Sequence, residues 1–200
     1  MSAREEILAR IRTALGSTAA PPVTVPREYL QSSTMDDLVE VFTDRLLDYG
    51  ATVVPIARDG VADAIAAQVR GRVRVAPGLP WPVPGAEPDD GGPVAELDAV
   101  DTAVTACAAA CAQTGTIVLD GSPDQGRRAL SLVPDRHVCV VHSEQIAGIV
   151  PELLARLDLH RPTTFISGPS ATADIELQRV SGVHGPRQLV VILVTDNKEG

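Results

Sequence analysis

Lysine is almost missing from this chain. Of seventeen Lys and Arg residues the single lysine is Lys198, in a polar stretch at the C-terminal end. A Walker phosphate loop, which needs Gly-Lys-Ser/Thr, is therefore excluded, and Schiff-base chemistry would fall to a terminal residue. Positive charge is scarce as a whole. The formal net charge is -9 over 200 residues, which argues against a general binder of phosphate backbones, so nucleic acid is not an expected partner. Hydrophobic runs such as Leu189 to Val194 are far too short to cross a bilayer, and no membrane span is expected. The start, Met-Ser-Ala-Arg-Glu-Glu, is amphipathic and unlike a signal sequence, which makes the cytoplasm the expected location. Cysteine is also sparse. Cys107, Cys111 and Cys139 are an odd set with no Cys or His run around them, so neither a disulfide framework nor an iron-sulfur or zinc site is expected. Cys107 and Cys111 stand four apart in an alanine-rich stretch that reads as a short helix, with both thiols on one face as small core residues. Gly-x-Gly-x-x-Gly after a strand, His-Glu-x-x-His and Gly-x-Ser-x-Gly are all absent, which removes the usual nicotinamide, zinc-protease and hydrolase readings.

What is present alternates. Ile7, Leu8, Ile11 and Leu15 recur at helical spacing over Ala3 to Leu15, and a Pro- and Ala-rich stretch follows from Gly16 to Pro26. Residues 1–30 thus read as an amphipathic arm and linker, docking on its own domain or on a partner, and residues 31–200 as one domain. Within the domain the expected order is helix Met35 to Tyr49, strand Thr52 to Ile56, helix Val61 to Val69 and strand Arg72 to Ala76. An irregular Pro/Gly loop with the lone Trp81 spans Pro77 to Pro93. Strands at Asp101 to Thr105 and Gly115 to Asp120 flank the Ala/Cys helix. Then come strand His137 to His142, helix Ser143 to Leu157 kinked or divided at Pro151, strand Thr163 to Ile166, helix Thr172 to Val180 and strand Gln188 to Thr195. Such alternation predicts an α/β fold, a mostly parallel sheet with helices on both faces. Trp81 reads either as a lid or interface anchor, or as an aromatic pinning the loop.

The densest chemistry lies in Thr164 to Glu176 and Gly182 to Pro186. A strand running into Ser-Gly-Pro-Ser and then a helix would converge backbone N-H groups on one point outside the strand end. Ser167, Ser170 and Thr172 offer hydroxyls, and the amides of Gly168 and Ser170 a nest for a small carboxylate or phosphate. The same residues are also good helix caps. Asp174 and Glu176 would repel an anion, so Arg128 or Arg187 would have to compensate. His184, in the turn Val183-His-Gly185-Pro186, is a candidate proton acceptor near neutral pH or a turn-stabilising group. Thr114, Gly115 and Thr116 form a further polar turn. These corners are expected to meet in one cleft at the strand ends of the parallel sheet. His137, His142 and His160 read as structural or exposed.

Thr114-Gly-Thr-Ile-Val-Leu119, Gly126-Arg-Arg128, Leu130-Ser-Leu-Val-Pro134, Ser167-Gly-Pro-Ser-Ala-Thr-Ala-Asp-Ile-Glu176 and Gly182-Val-His-Gly-Pro186, in this order, resemble the LUD-domain family, specifically its lactate-utilization C branch. The resemblance runs from about Asp36 to the C-terminus. It implies a fold similar to the NagB/RpiA/CoA transferase-like superfamily and a part in bacterial oxidation of L-lactate to pyruvate. It further implies iron-sulfur proteins as partners, so that no cofactor need belong to this chain. The roles assigned are His184, Asp174 and Glu176 for catalysis, and Thr114, Gly115, Thr116, Arg128, Ser167, Gly168, Ser170, Thr172, Gly185 and Arg187 for binding a small carboxylate or phosphate. One departure stands out, Gln113 where the family often has Glu; Gln cannot ionise but keeps an acceptor oxygen and gains donors. The alternative function is a free-standing enzyme of isomerase or CoA-transferase type, acting on a small phosphorylated or CoA-linked metabolite with Glu176 as nucleophile.

Overall fold

Val138, Val140, Val190 and Ile192 alternate with Cys139, Val141, Val191 and Leu193, so both faces of their strands are apolar and both must be covered. The computed structural model of the chain, which describes residues 2–16, 24–26, 28–30, 32–172, 180–181 and 185–195, shows how. In chain order the helices are α1 (Ala3–Leu15), α2 (Leu38–Asp48), α3 (Val61–Gln68), α4 (Arg128–Leu132) and α5 (Val150–Ala155). The strands are β1 (Thr52–Ile56), β2 (Val73–Val75), β3 (Glu87–Pro88), β4 (Thr102–Thr105), β5 (Ala109–Cys111), β6 (Thr116–Leu119), β7 (Arg136–His142), β8 (Ile146–Ala147), β9 (Thr164–Ile166), β10 (Ala171–Thr172), β11 (Val180–Ser181) and β12 (Gln188–Val194).

Six strands form one sheet in the order β1-β12-β7-β4-β2-β3, and every neighbouring pair is parallel. One face packs Val138, Val140, Val190 and Ile192 against Val61 and Ile65 of α3, with Leu79, Trp81 and Val83 of the long loop beside them. The opposite face packs Cys139, Val141, Val191 and Leu193 against Phe42 and Leu46 of α2 and against Ala110 and Ile117. Those last two belong to a second sheet, β8-β5-β6-β9, in which β5-β6 and β6-β9 are antiparallel. Its far face is closed by Leu153 of α5 over Ala109, Cys111 and Val118. The α/β architecture with a parallel sheet is thus as expected, but one face is covered largely by a sheet.

Several expected elements differ. The Ala/Cys stretch is a strand, β5: its backbone groups pair with β6 on one side and β8 on the other, and a buried pair of ladders outweighs the helix propensity of alanine. Cys107 and Cys111 consequently belong to different clusters, on either side of the small sheet. The segment from Ser143 is a single 3-10 turn, then β8, then α5; Pro151 sits in the first turn of α5, where its missing N-H costs nothing, and so begins the helix. Of the helix expected from Thr172 to Val180, residues 173–179 lie outside the described residues; its two end residues pair antiparallel as strands, Ala171 with Ser181 and Thr172 with Val180. β6 and β9 lie in the small sheet and not among the parallel strands.

The arm helix α1 is closed by a capping box between Ser2 and Glu5, yet it buries none of its residues. Ile7 and Leu15 are 58% and 73% exposed, so the apolar stripe is not an intramolecular packing face. Trp81 stacks on His142 with ring centroids 5.8 Å apart. This pins the long loop to the end of β7. The loop is tied a second time by Asp89, nearly buried, which accepts two hydrogen bonds from Arg127 (Nε to Oδ2 2.7 Å, Nη2 to Oδ1 2.9 Å).

Candidate functional site

The cavity of interest is about 160 Å³ and lies where the two sheets meet beneath α4. Ser131 and Leu132 of α4, His137 of β7, Leu189 of β12 and the segment from Thr164 to Ser170 line it, with Gly185 and Pro186. His137 and Leu189 are each the second residue of their strand. The cavity therefore sits at the amino-terminal end of these parallel strands, opposite to the carboxyl-end crevice usual in open α/β sheets. The reason is topological: the Ser167-Gly-Pro-Ser170 corner follows β9, which runs in the small sheet and delivers its end to the other rim.

A chain of hydroxyls leads into this cavity. Thr114 Oγ1 lies 2.7 Å from Thr116 Oγ1, which lies 2.8 Å from Ser167 Oγ. Gly115 makes the turn at φ +57°, and a Cβ there would come within 2.7 Å of the Arg45 Cβ on α2. Gly168, at φ +85°, backs onto Tyr49 with only 2.5 Å for a Cβ. Both glycines are required by backbone conformation and by close approach. Ser170 donates its backbone N-H to the Pro186 carbonyl (2.8 Å), and this closes the corner on the segment containing Gly185. Its amide is thus occupied and does not contribute to an anion nest.

Thr114, Thr116, Ser167, Gly168, Ser170 and Gly185 are accordingly brought together. Arg128 lines an adjoining cavity of about 280 Å³ that shares Ser131 and Thr164 with the first. Arg187 has its guanidinium held by Asp135, whose carboxylate raises its pKa. Asp174, Glu176 and His184 lie outside the described residues, as does the side chain of Thr172. Gln113 is exposed and engages Gly148 through its backbone N-H (3.1 Å).

One residue passed over in the sequence stands in the wall. His137 is 1% exposed, and its Nε2 lies 2.8 Å from Thr105 Oγ1. Among the described residues its Nδ1 has no hydrogen-bond partner. Burial lowers its pKa to about 4, so the ring is neutral at pH 7. Nothing in the local sequence marks it, since an imidazole in an apolar strand reads as core. The thiols are committed elsewhere. Cys139 Sγ donates to the Ala106 carbonyl (3.6 Å), Cys107 Sγ to Gln145 (3.4 Å) and Cys111 Sγ to the Gly148 carbonyl (3.8 Å). Hydrogen bonding with Cys139, and burial, push the Cys107 thiol well above its ordinary pKa, away from the reactive thiolate. Among the described residues no three His, Cys, Asp or Glu side chains gather as a metal-ligand set, and no helix is long and apolar enough to cross a membrane.

A parallel sheet with helices, backed by a small mixed sheet and holding a cavity at the junction, defines an α/β protein. The LUD domain matches residues 79–194, and the chain belongs to the LUD-domain family. It is 43% identical to "Lactate utilization protein C" of Deinococcus radiodurans, over 96% of this chain and 95% of that protein. The protein of the same name from Bacillus subtilis is 29% identical over 96% of both chains. Among solved structures, a DUF162-family protein from Deinococcus radiodurans aligns with a TM-score of 0.67 at 39% identity, over 78% of this chain and 96% of that one.

Proposed function

We propose that this protein is a subunit of a bacterial L-lactate utilization system that oxidises lactate to pyruvate, and that it works with iron-sulfur partner proteins. The observation that carries this reading is the similarity, along nearly the whole of both chains, to a protein named for lactate utilization. The junction cavity supports it. Its size and hydroxyl lining suit a small carboxylate, and Arg128 next door supplies the one sign of charge such a ligand needs. Oxidation of a hydroxy acid requires an electron acceptor beside it. The three thiols here are spent on core packing and hydrogen bonds, which favours an acceptor supplied by a partner.

The test is lactate-dependent dye reduction, by the purified full-length chain and by the same chain reconstituted with iron-sulfur proteins from its own cell. No turnover by the chain alone and turnover by the assembly is the expected result. Robust turnover by the isolated chain overturns the partner requirement. In the assembly, His184→Ala and Asp174→Ala examine the turn and the acidic segment directly, and a loss of turnover assigns them to the chemistry.

A further inference from the structure

We propose that α1 is a self-association element: two copies of the chain pair antiparallel through this helix, with the stripe of Ile7, Leu8, Ile11 and Leu15 as the seam. The proposal stands apart from the lactate reading and concerns a surface that the junction cavity does not touch.

α1 is closed as a helix by its own residues. The Ser2–Glu5 capping box completes the first turn, and Glu6 bridges Arg10 at 2.7 Å along the surface. A helix of 13 residues is nevertheless marginal in water without a packed face. No residue of this one is buried, and Ile7, Ile11 and Leu15 are 58%, 49% and 73% exposed. Such a stripe calls for a surface to cover it.

The order of side chains along α1 identifies that surface, because it is complementary to its own reverse. At about 100° per residue, Ile7, Leu8, Ile11 and Leu15 share one arc with Ala3, Arg4 and Ala14. Antiparallel pairing centred near Ala9 sets Ile7 opposite Ile11 of the second copy, Leu15 opposite Ala3 and Arg4 opposite Ala14. Each long side chain near an end thus meets a small one. Glu6 and Arg10 stand on one flank of the arc, Glu5 and Arg12 on the other. Reversal brings Arg10 of the second copy to Glu6, and Arg12 to Glu5, whereas a parallel pair would set glutamate beside glutamate. The two helix dipoles also oppose each other. A two-fold contact between like chains requires a self-complementary patch of this kind; contact with an unrelated protein does not. The tether permits the pairing. Ser33 is fixed to the body by its backbone N-H, which donates to Glu152 Oε1 (2.6 Å), and the chain from Gly16 to Ser33 is long enough to span up to about 55 Å. The helices can therefore meet without contact between the bodies.

Sedimentation equilibrium of the full-length protein over a concentration series is the test. The seam falls in the small size class, under about 1,200 Å², so a dimer with a dissociation constant on the order of 100 μM is expected. Ile11→Asp is expected to weaken it by more than about a hundredfold. Glu6→Arg or Arg10→Glu alone should weaken it about fivefold, and an equimolar mixture of the two variants should regain association. Because α1 buries nothing, thermal unfolding of the domain stays unchanged in all three. Direction is read by oxidative cross-linking: Ile7→Cys joins to Ile11→Cys faster than to itself. A protein that remains monomeric up to about ten times the expected constant overturns the proposal, as does a dimer that Ile11→Asp leaves intact. Faster cross-linking of Ile7→Cys to itself overturns the antiparallel arrangement.

Discussion

Two sheets meet in this molecule, and they are made of different residues. β7 and β12 of the large sheet read Arg-His-Val-Cys-Val-Val-His and Gln-Leu-Val-Val-Ile-Leu-Val. β5 of the small sheet reads Ala-Ala-Cys, and its partner β8 only Ile-Ala. Both are buried. Branched side chains favour the pleated surface in their own right, whereas alanine carries no preference for it and adopts a strand only because β6 and β8 stand ready to pair. The large sheet is thus written locally and the small one by its neighbours. The candidate site lies on the seam between them, with His137 from the first and Ser167 from the end of the second.

Equal truncations on the two sides of the seam break that comparison most directly. Ile192 and Ile117 are both fully buried. Ile192→Ala, among branched valines, is expected to cost about 4 kcal/mol, and Ile117→Ala, in a cluster that also holds Ala110, Ala112, Cys107 and Cys139, about 3 kcal/mol. Urea unfolding reads both, and a cost under about 1 kcal/mol for Ile117→Ala would mean that the small sheet is not part of the cooperative core.

Acid acts on the seam itself. The pKa of His137 falls from 6.5 unfolded to about 4 folded, so the unfolded chain binds the extra proton between those values. The stability that this neutral ring represents is whole above pH 6.5, declines as pH falls toward 4, and amounts to about 3 kcal/mol across that window. His137→Gln, measured by denaturant midpoint against pH, flattens this part of the profile. An unchanged slope would show that the ring titrates normally.

The small sheet also reaches α2 through Gly168. Gly168→Ala forces a Cβ to 2.5 Å from that of Tyr49 at a positive φ, at an expected cost of about 2 kcal/mol in thermal stability. Displacement of the corner should then weaken any ligand seen by titration. The smallest effect is expected of Ser167→Ala. It leaves Thr116 Oγ1 with the Thr114 contacts alone and costs about 1 kcal/mol, and a larger loss in lactate affinity than in stability would assign the hydroxyl to the ligand.

Reading the chain alone recovers the large sheet well, because β1, β7 and β12 and the helices α2 and α3 each carry their own periodicity and stop signals. It fails at β5, where alanine imitates a helix; at Pro151, which opens α5 instead of dividing a longer helix; and at Thr172, which pairs antiparallel with Val180. The site is recovered in part. Thr114, Thr116, Ser167, Gly168, Ser170 and Gly185 announce themselves as turn formers and hydroxyls, and proximity among them follows from the fold. The partner of Arg187, Asp135, is not legible because it lies far off in sequence, at the loop before β7.

By itself, then, the sequence determines the α/β class, the parallel sheet and the polar corners, since these depend on periodicity and on turn chemistry within a few residues. The tertiary structure decides that an alanine stretch becomes a strand, that the corners face the amino-terminal rim, and that His137 stands buried in the cavity wall. Each of these depends on contacts between segments distant in the chain: Ala110 with Ile117 and Ile146 across the ladders, and Thr105 with His137 and Cys139 across two strands. No local pattern encodes a hydrogen bond between strands that the chain keeps this far apart.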